Sequence, residues 1–193
     1  AQFAIVAAAV AIAVLTPGAT TAYQLRVSPD SPCVFAGNGS CFDLSKVYDW
    51  PVHMTVPSLP GQTPKTYEYW FDPCKPLKDA CTASQGVGGV NVTTPRGDTP
   101  GVAACQRADQ YYQVGLQEPI VMMNEMQSEL TIMYPWGAAW RSTSVVIQET
   151  AAPNISVAMV GEAPGMLYNF AIKGKGALGR IEWNQECPWP WKP

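Results

Sequence analysis

Proline and glycine interrupt this chain too often for a long helix to form beyond its first two dozen residues. Of 193 residues, 18 are proline and 16 glycine. Proline removes a backbone donor, and glycine loses the most conformational entropy on entering any regular element, so the segments they bound are short. Beyond the opening residues no amphipathic pattern of three helical turns survives. What survives is alternation with a period of two, the mark of strands with one buried face. Tyr67 to Asp72 places Tyr67, Tyr69 and Phe71 on one side before Pro73 ends the run. Glu129 to Tyr134 places Leu130, Ile132 and Tyr134 together, and Leu167 to Ile172 sets Tyr168, Phe170 and Ile172 against Leu167, Asn169 and Ala171. Gln110 to Val114, the β-branched Ser142 to Ile147, and Asn154 to Val160 complete the set. Many short strands separated by turns imply an all-β sandwich or barrel.

The connecting stretches read as turns and loops. Tyr23 to Gly39 is extended and turn-rich, and Phe42 to Tyr48 is either a strand or a single turn. Thr82 to Gly101 is a long surface loop in which Arg96-Gly97-Asp98, between Pro95 and Pro100, is a turn rather than a recognition motif. Lys173 to Arg180 is a flexible turn, and the closing Cys187-Pro-Trp-Pro-Trp-Lys-Pro is expected to lie extended against something apolar.

Phe3 to Leu15 is an unbroken apolar run followed by Pro17-Gly18 and the small residues Ala19 to Ala22. It is short for a membrane span and the right length for the apolar region of a signal peptide, although no basic residues precede it. Residues 1–22 are therefore expected to be a leader, either a cleaved signal peptide or a retained anchor touching a membrane through residues 3–15. Residues 23–193 form a single domain. Asn38-Gly-Ser, Asn91-Val-Thr and Asn154-Ile-Ser are glycosylation sequons. With the six cysteines Cys33, Cys41, Cys74, Cys81, Cys105 and Cys187, they point to the lumen of the secretory pathway, the cell surface or the outside, where disulfides persist. Six cysteines allow fifteen pairings, and sequence alone does not choose among them.

The parts of several chemistries are missing. A net charge of −3 argues against nucleic acid and against an acidic membrane surface as partners. The one histidine, His53, has no cysteine or carboxylate at ligand spacing, and is expected to be a surface or half-buried residue. No helix is available to open behind a glycine-rich phosphate loop. Glu129, Glu149 and Glu162 show no pairing of the kind glycoside hydrolysis needs. The chain is expected to be neither an enzyme nor the holder of a metal or cofactor.

Four polar residues on or beside the strands stand out: Gln106, Arg141, Glu162 and Tyr168. A carboxylate accepts from two adjacent hydroxyls, while guanidinium and amide groups donate in fixed planes, so the set suits a sugar. The plainer alternative is a structural ion pair between Arg141 and Glu162. Around these residues the chain resembles the mannose 6-phosphate receptor homology (MRH) domain family over about residues 33 to 172. Cys41-Phe-Asp-Leu-Ser-Lys is similar to the opening of those domains, and Tyr67-Glu-Tyr-Trp-Phe-Asp-Pro-Cys-Lys-Pro-Leu77 to a strand running into their Cys-basic-Pro-Leu block. Gly101-Val-Ala-Ala-Cys-Gln106, Leu130 to Gly137, Arg141-Ser-Thr-Ser-Val-Val-Ile, and Glu162 followed by Tyr168 match later blocks in the family's order.

The resemblance implies a flattened β-barrel of two packed antiparallel sheets that binds mannose or mannose 6-phosphate on glycoproteins. Gln106 and Arg141 would contact the axial 2-hydroxyl, and Glu162 and Tyr168 the 3- and 4-hydroxyls. It also implies a Cys81–Cys105 bridge, and Cys74 paired with Cys33 or Cys41, leaving the other for Cys187. The family carries cysteines where this chain has Trp140, Gln148 and Leu167. The rival expectation is an MRH-like fold serving as a structural subunit of a larger membrane or extracellular assembly, without sugar binding.

Overall fold

A computed structural model describes residues 22–57, 63, 66–77, 101–108, 111–135, 137, 140–163, 166–181 and 187. In chain order the strands are β1 (Ala22–Val27), β2 (Val34–Gly37), β3 (Ser40–Asp43), β4 (Val52–Pro57), β5 (Thr66–Phe71), β6 (Val102–Arg107) and β7 (Tyr111–Leu116). There follow β8 (Ile120–Asn124), β9 (Glu129–Tyr134), β10 (Ser142–Glu149), β11 (Ser156–Ala163), β12 (Leu167–Gly174) and β13 (Arg180–Ile181). They make a nine-stranded sheet, ordered β11-β12-β10-β9-β8-β1-β2-β3-β13, packed against a four-stranded sheet ordered β4-β5-β6-β7. The expected all-β architecture of two packed sheets is what the chain adopts. One pairing departs from the antiparallel rule: β10 and β12 run parallel, Ser142 level with Leu167 and Thr143 with Tyr168. The β11–β12 hairpin folds back so that its second strand, not its first, lies beside β10.

The alternating patterns mark the faces correctly. Leu130, Ile132 and Tyr134 of β9, Val145 and Ile147 of β10, and Tyr168, Phe170 and Ile172 of β12 are all buried. Tyr69 and Phe71 of β5 face them from the small sheet. Phe71 packs edge-on to Tyr134 at 5.5 Å and stacks near Phe170 at 6.0 Å between ring centres, while Tyr69 meets Phe170 at 5.9 Å. These rings weld the two sheets. At one corner β7 is also tied to the large sheet by polar contacts: the Thr143 hydroxyl donates to the Val114 carbonyl (2.9 Å) and the Leu116 amide to the Pro135 carbonyl (3.2 Å).

Elsewhere the structure sharpens or corrects the sequence reading. Tyr23 to Gly39 contains β1 and β2, and the latter meets β3 through a two-residue turn at Asn38 and Gly39, both at positive φ (50° and 72°), which suits strand twist. The Phe42 to Tyr48 ambiguity resolves as the end of β3 followed by a 3₁₀ turn, Leu44–Lys46, capped by the Asp43 carboxylate accepting from the Ser45 amide at 2.8 Å. Lys173 to Arg180 is not a flexible turn. It begins in β12, buries Ala177 and Leu178 in the core, and is held by the Glu149 carboxylate, which accepts from the Gly176 amide. Residues 1–21, Asn91, Cys81, Arg96-Gly97-Asp98 and the tail after Cys187 lie outside the described residues.

Two disulfides join described residues: Cys33–Cys74, linking the start of β2 to the turn after β5, and Cys41–Cys187, on β3. Cys74 thus takes Cys33 of the two partners left open, and Cys41 goes to Cys187. Cys105 is disulfide-bonded as well. Such bridges belong to an oxidising compartment.

Truncating Phe71 to alanine should lower unfolding free energy by about 3–5 kcal/mol in urea titrations, since the ring spans both sheets and its cavity cannot collapse. Non-reducing peptide mapping should recover Cys81 linked to Cys105; a Cys81–Cys187 peptide would disprove the bridge set.

Candidate functional site

The four polar residues singled out in the sequence come from both sheets and converge at one end of the barrel. Gln106 lies on β6, level with Tyr69 on β5 and Tyr112 on β7, so these three form a row across the inner face of the small sheet. Tyr168 faces that row from β12, its ring centre 6.1 Å from that of Tyr69. A chain of hydrogen bonds runs through them. Arg141 Nε donates to the Tyr168 hydroxyl (3.2 Å), which donates to Gln106 Oε1 (3.3 Å), and Gln106 Nε2 donates to the Tyr69 hydroxyl (2.9 Å). Gln106 is only 5% exposed, so its amide sits at the floor of the site, while Arg141 is half-buried at the rim with its guanidinium 4.4 Å over the Tyr112 ring.

Two backbone devices aim the rim residues. Arg141 follows a chain passage at Gly137, whose amide donates to the Arg141 carbonyl at 2.8 Å. A Cβ on Gly137 would lie 2.6 Å from the Gln113 carbonyl oxygen and 2.9 Å from that of Arg141. Only glycine lets the chain pass so close to β7 and still bring Arg141 back over Tyr112. Glu162 depends on a bulge. Along β11, Met159 sits opposite Phe170, yet Gly161 sits opposite Asn169 and Glu162 opposite Tyr168. One extra residue has entered the strand at Val160, and Gly161 takes φ of 154°, a conformation that side chains disfavour. Strict alternation would have sent Glu162 to the outside with Ala158. The bulge reverses the parity and returns it to the inner face beside Tyr168. Its residue remains exposed, so the carboxylate stands at the water-facing lip.

The electrostatics follow from this layering. Burial pushes the Tyr69 phenol up to about 12; the Gln106 hydrogen bond opposes this, and the charges of Tyr168 and Glu162 add to it. Tyr168 is also raised, first by burial, against the Arg141 hydrogen bond that favours its anion, with the Glu162 carboxylate adding to the rise. Both phenols are therefore neutral hydroxyls at physiological pH, able to donate and to accept. The arrangement brings one guanidinium, one carboxylate, one amide and three phenols together around a sheet-lined floor, groups that can donate to and accept from hydroxyls.

Tyr69 and Tyr112 were missed as site residues. The alternation through Tyr67, Tyr69 and Phe71 placed Tyr69 inward, but nothing in the sequence fixes which residues of β5, β6 and β7 stand level. His53 has a carboxylate after all: Glu68, on the neighbouring strand, lies 3.3 Å from its Nε2 and is shared with Arg107 at 3.2 Å. That cluster, with His53 stacked on Trp70, is apart from the inner-face row, since Trp70 and Glu68 flank Tyr69 in β5 and point the other way. Of the sequons, Asn38 sits exposed in the β2–β3 turn and Asn154 exposed ahead of β11.

A raised phenol pKa means the folded state holds its proton longer than the unfolded chain does. Stability tied to Tyr69 is thus intact below pH about 10, the ordinary tyrosine value, and is lost as pH rises towards about 12. Phenolate absorbance should show a late-titrating group of tyrosines that Tyr69→Phe diminishes by one phenol, and a native protein whose tyrosines all ionise near the ordinary value would contradict this burial.

No family model matches the chain, and no curated protein matches it.

Proposed function

We propose that this protein is a non-catalytic, lectin-like domain that recognises mannose-type glycans, plain or 6-phosphorylated, on glycoproteins of the secretory pathway. The observation that carries the reading is the convergence of Gln106, Arg141, Glu162 and Tyr168. They are dispersed over four strands or strand ends, and three of them are joined in one hydrogen-bonded chain at one mouth of the barrel. These are the residues that the MRH resemblance assigns to mannose, and a β-barrel of two packed sheets is the fold it implies. Reversible binding fits the chemistry present. A hexose presents adjacent hydroxyls that a carboxylate can bridge and an axial 2-hydroxyl that a guanidinium can meet. An epimer would leave these polar groups unpaired, costing roughly 1–3 kcal/mol for each. The disulfides are consistent with the compartment where such glycans are displayed.

One observation favours the rival reading of an assembly subunit: Gln106 already has Tyr69 and Tyr168 as partners and is almost wholly buried. On that reading the set is a clasp between the sheets.

A glycan array with the wild type and Arg141→Ala side by side separates the two. The lectin reading expects mannose-selective signal, reduced at least about tenfold by the substitution while thermal unfolding stays cooperative. Silence from both proteins selects the clasp.

A further inference from the structure

The end of the barrel opposite the Arg141 mouth gathers charge that the lectin reading does not use. β10 and β12 both run away from that mouth, ending at Glu149 and Gly174, and the chain from Gly174 to β13 turns there. The turn is fixed from several sides. Ala177 and Leu178 are buried in the core, the Lys175 amide donates to the Ala152 carbonyl at 2.8 Å, and the Asp43 amide donates to the Gly179 carbonyl at 2.8 Å. Gly179 holds φ of 59°, and a Cβ on it would lie 2.7 Å from Val47 Cγ2, so glycine is what lets the turn press against the chain after β3.

Between this turn, the 3₁₀ turn and Ile155 lies a cleft of about 360 Å³, and Lys46, Lys175 and Arg180 all line it. Three cations thus share one cleft on a chain whose net charge is −3. Asp43 is the one carboxylate lining it among the described residues, and its oxygen already accepts from the Ser45 amide. Arg180 is set in place by neutral groups. Its Nη1 and Nη2 donate to the side-chain and backbone oxygens of Gln127, each at 2.7 Å, and its guanidinium lies 5.4 Å over the Phe42 ring. Its position is therefore fixed while its charge is left uncompensated. Half-buried Val47, Ile155 and Ile181 give the cleft an apolar wall beside these cations.

We propose that this cleft binds a small phosphate monoester, with the oxyanion among Lys46, Lys175 and Arg180 and the carbon body against Val47, Ile155 and Ile181. A phosphate monoester carries close to two negative charges and three terminal oxygens, one for each cation, whereas a carboxylate offers two oxygens and a single charge. Holding Arg180 ready reduces the ordering that binding requires. The cleft volume is at the small end of ligand pockets, which suits a single small ester rather than a polymer. The site does not rest on the mannose reading, since it lies at the other end of β10 and β12.

Amide shift mapping by NMR tests this with phenyl phosphate, inorganic phosphate and phenol, on the wild type and on a Lys46→Ala/Lys175→Ala double variant. Both lysines are exposed, so the double variant should keep the wild-type fold. Phenyl phosphate should move the amides of Gly176, Gly179 and Ile181 and bind more tightly than inorganic phosphate, while phenol moves none of them. The double variant should lose at least about fivefold in affinity for phenyl phosphate, the scale of an exposed charge pair. No shift at these amides, unchanged affinity in the double variant, or equal binding of inorganic phosphate and its phenyl ester overturns the proposal. A last arm uses phosphatidylcholine vesicles containing phosphatidylinositol 4-phosphate: capture by these, with no response to phenyl phosphate, makes the cleft a lipid-headgroup site and overturns the small ester.

Discussion

A buried side-chain amide can be tolerated only if its donors and acceptor find partners, and at Gln106 those partners come from opposite sheets. Tyr69, beside it on β5, accepts a hydrogen bond from its nitrogen, and Tyr168, across the barrel on β12, donates one to its oxygen. Leaving either side unpaired would cost about 1–3 kcal/mol. The two sheets are thus registered against each other by polar satisfaction at this end, while the rings of Phe71, Tyr134 and Phe170 do the same by packing deeper in. The rim builds on that registration. Arg141 meets the Tyr168 hydroxyl because Tyr168 is already fixed, and it covers Tyr112 because β7 is level with Gln106.

The faces of β5, β9 and β12 were legible in the sequence, because each buries one side more deeply than the other. Strands that break this condition were not. β6 is Val-Ala-Ala-Cys-Gln-Arg, with every residue but the last buried, so its small side chains show no alternation to read. β4 lies in a proline-flanked segment with weak patterning, and β1, β2 and β8 are short pieces between turns. The parallel pairing of β10 with β12 could not be read either, because relative direction is set by how a hairpin folds back rather than by the composition of its strands.

The candidate site divides along the same line. Which residues belong to it could be read in part from residue type and order. How Glu162 reaches it could not: counting by twos along β11 gives the wrong face, and only the inserted residue at Val160 corrects the count. Tyr69 and Tyr112 escaped notice for a related reason. They join the site through register across β5, β6 and β7, a property of three strands together that no single segment encodes.

The three positions where the MRH resemblance would place cysteines show what can stand in for covalent bracing. At Gln148 the side-chain amide donates to the Glu129 carboxylate across β10 and β9 at 2.6 Å. Leu167 sits within the ladder joining β12 to β10 on one side and to β11 on the other, so eight residues of backbone pairing with β10 hold it in place. Trp140 has neither support, since it lies before β10 begins and in a strained conformation. Hydrogen bonding thus holds the chain at Gln148 and Leu167, where strands run past, while Trp140 stands ahead of the ladder, where the chain turns towards Arg141.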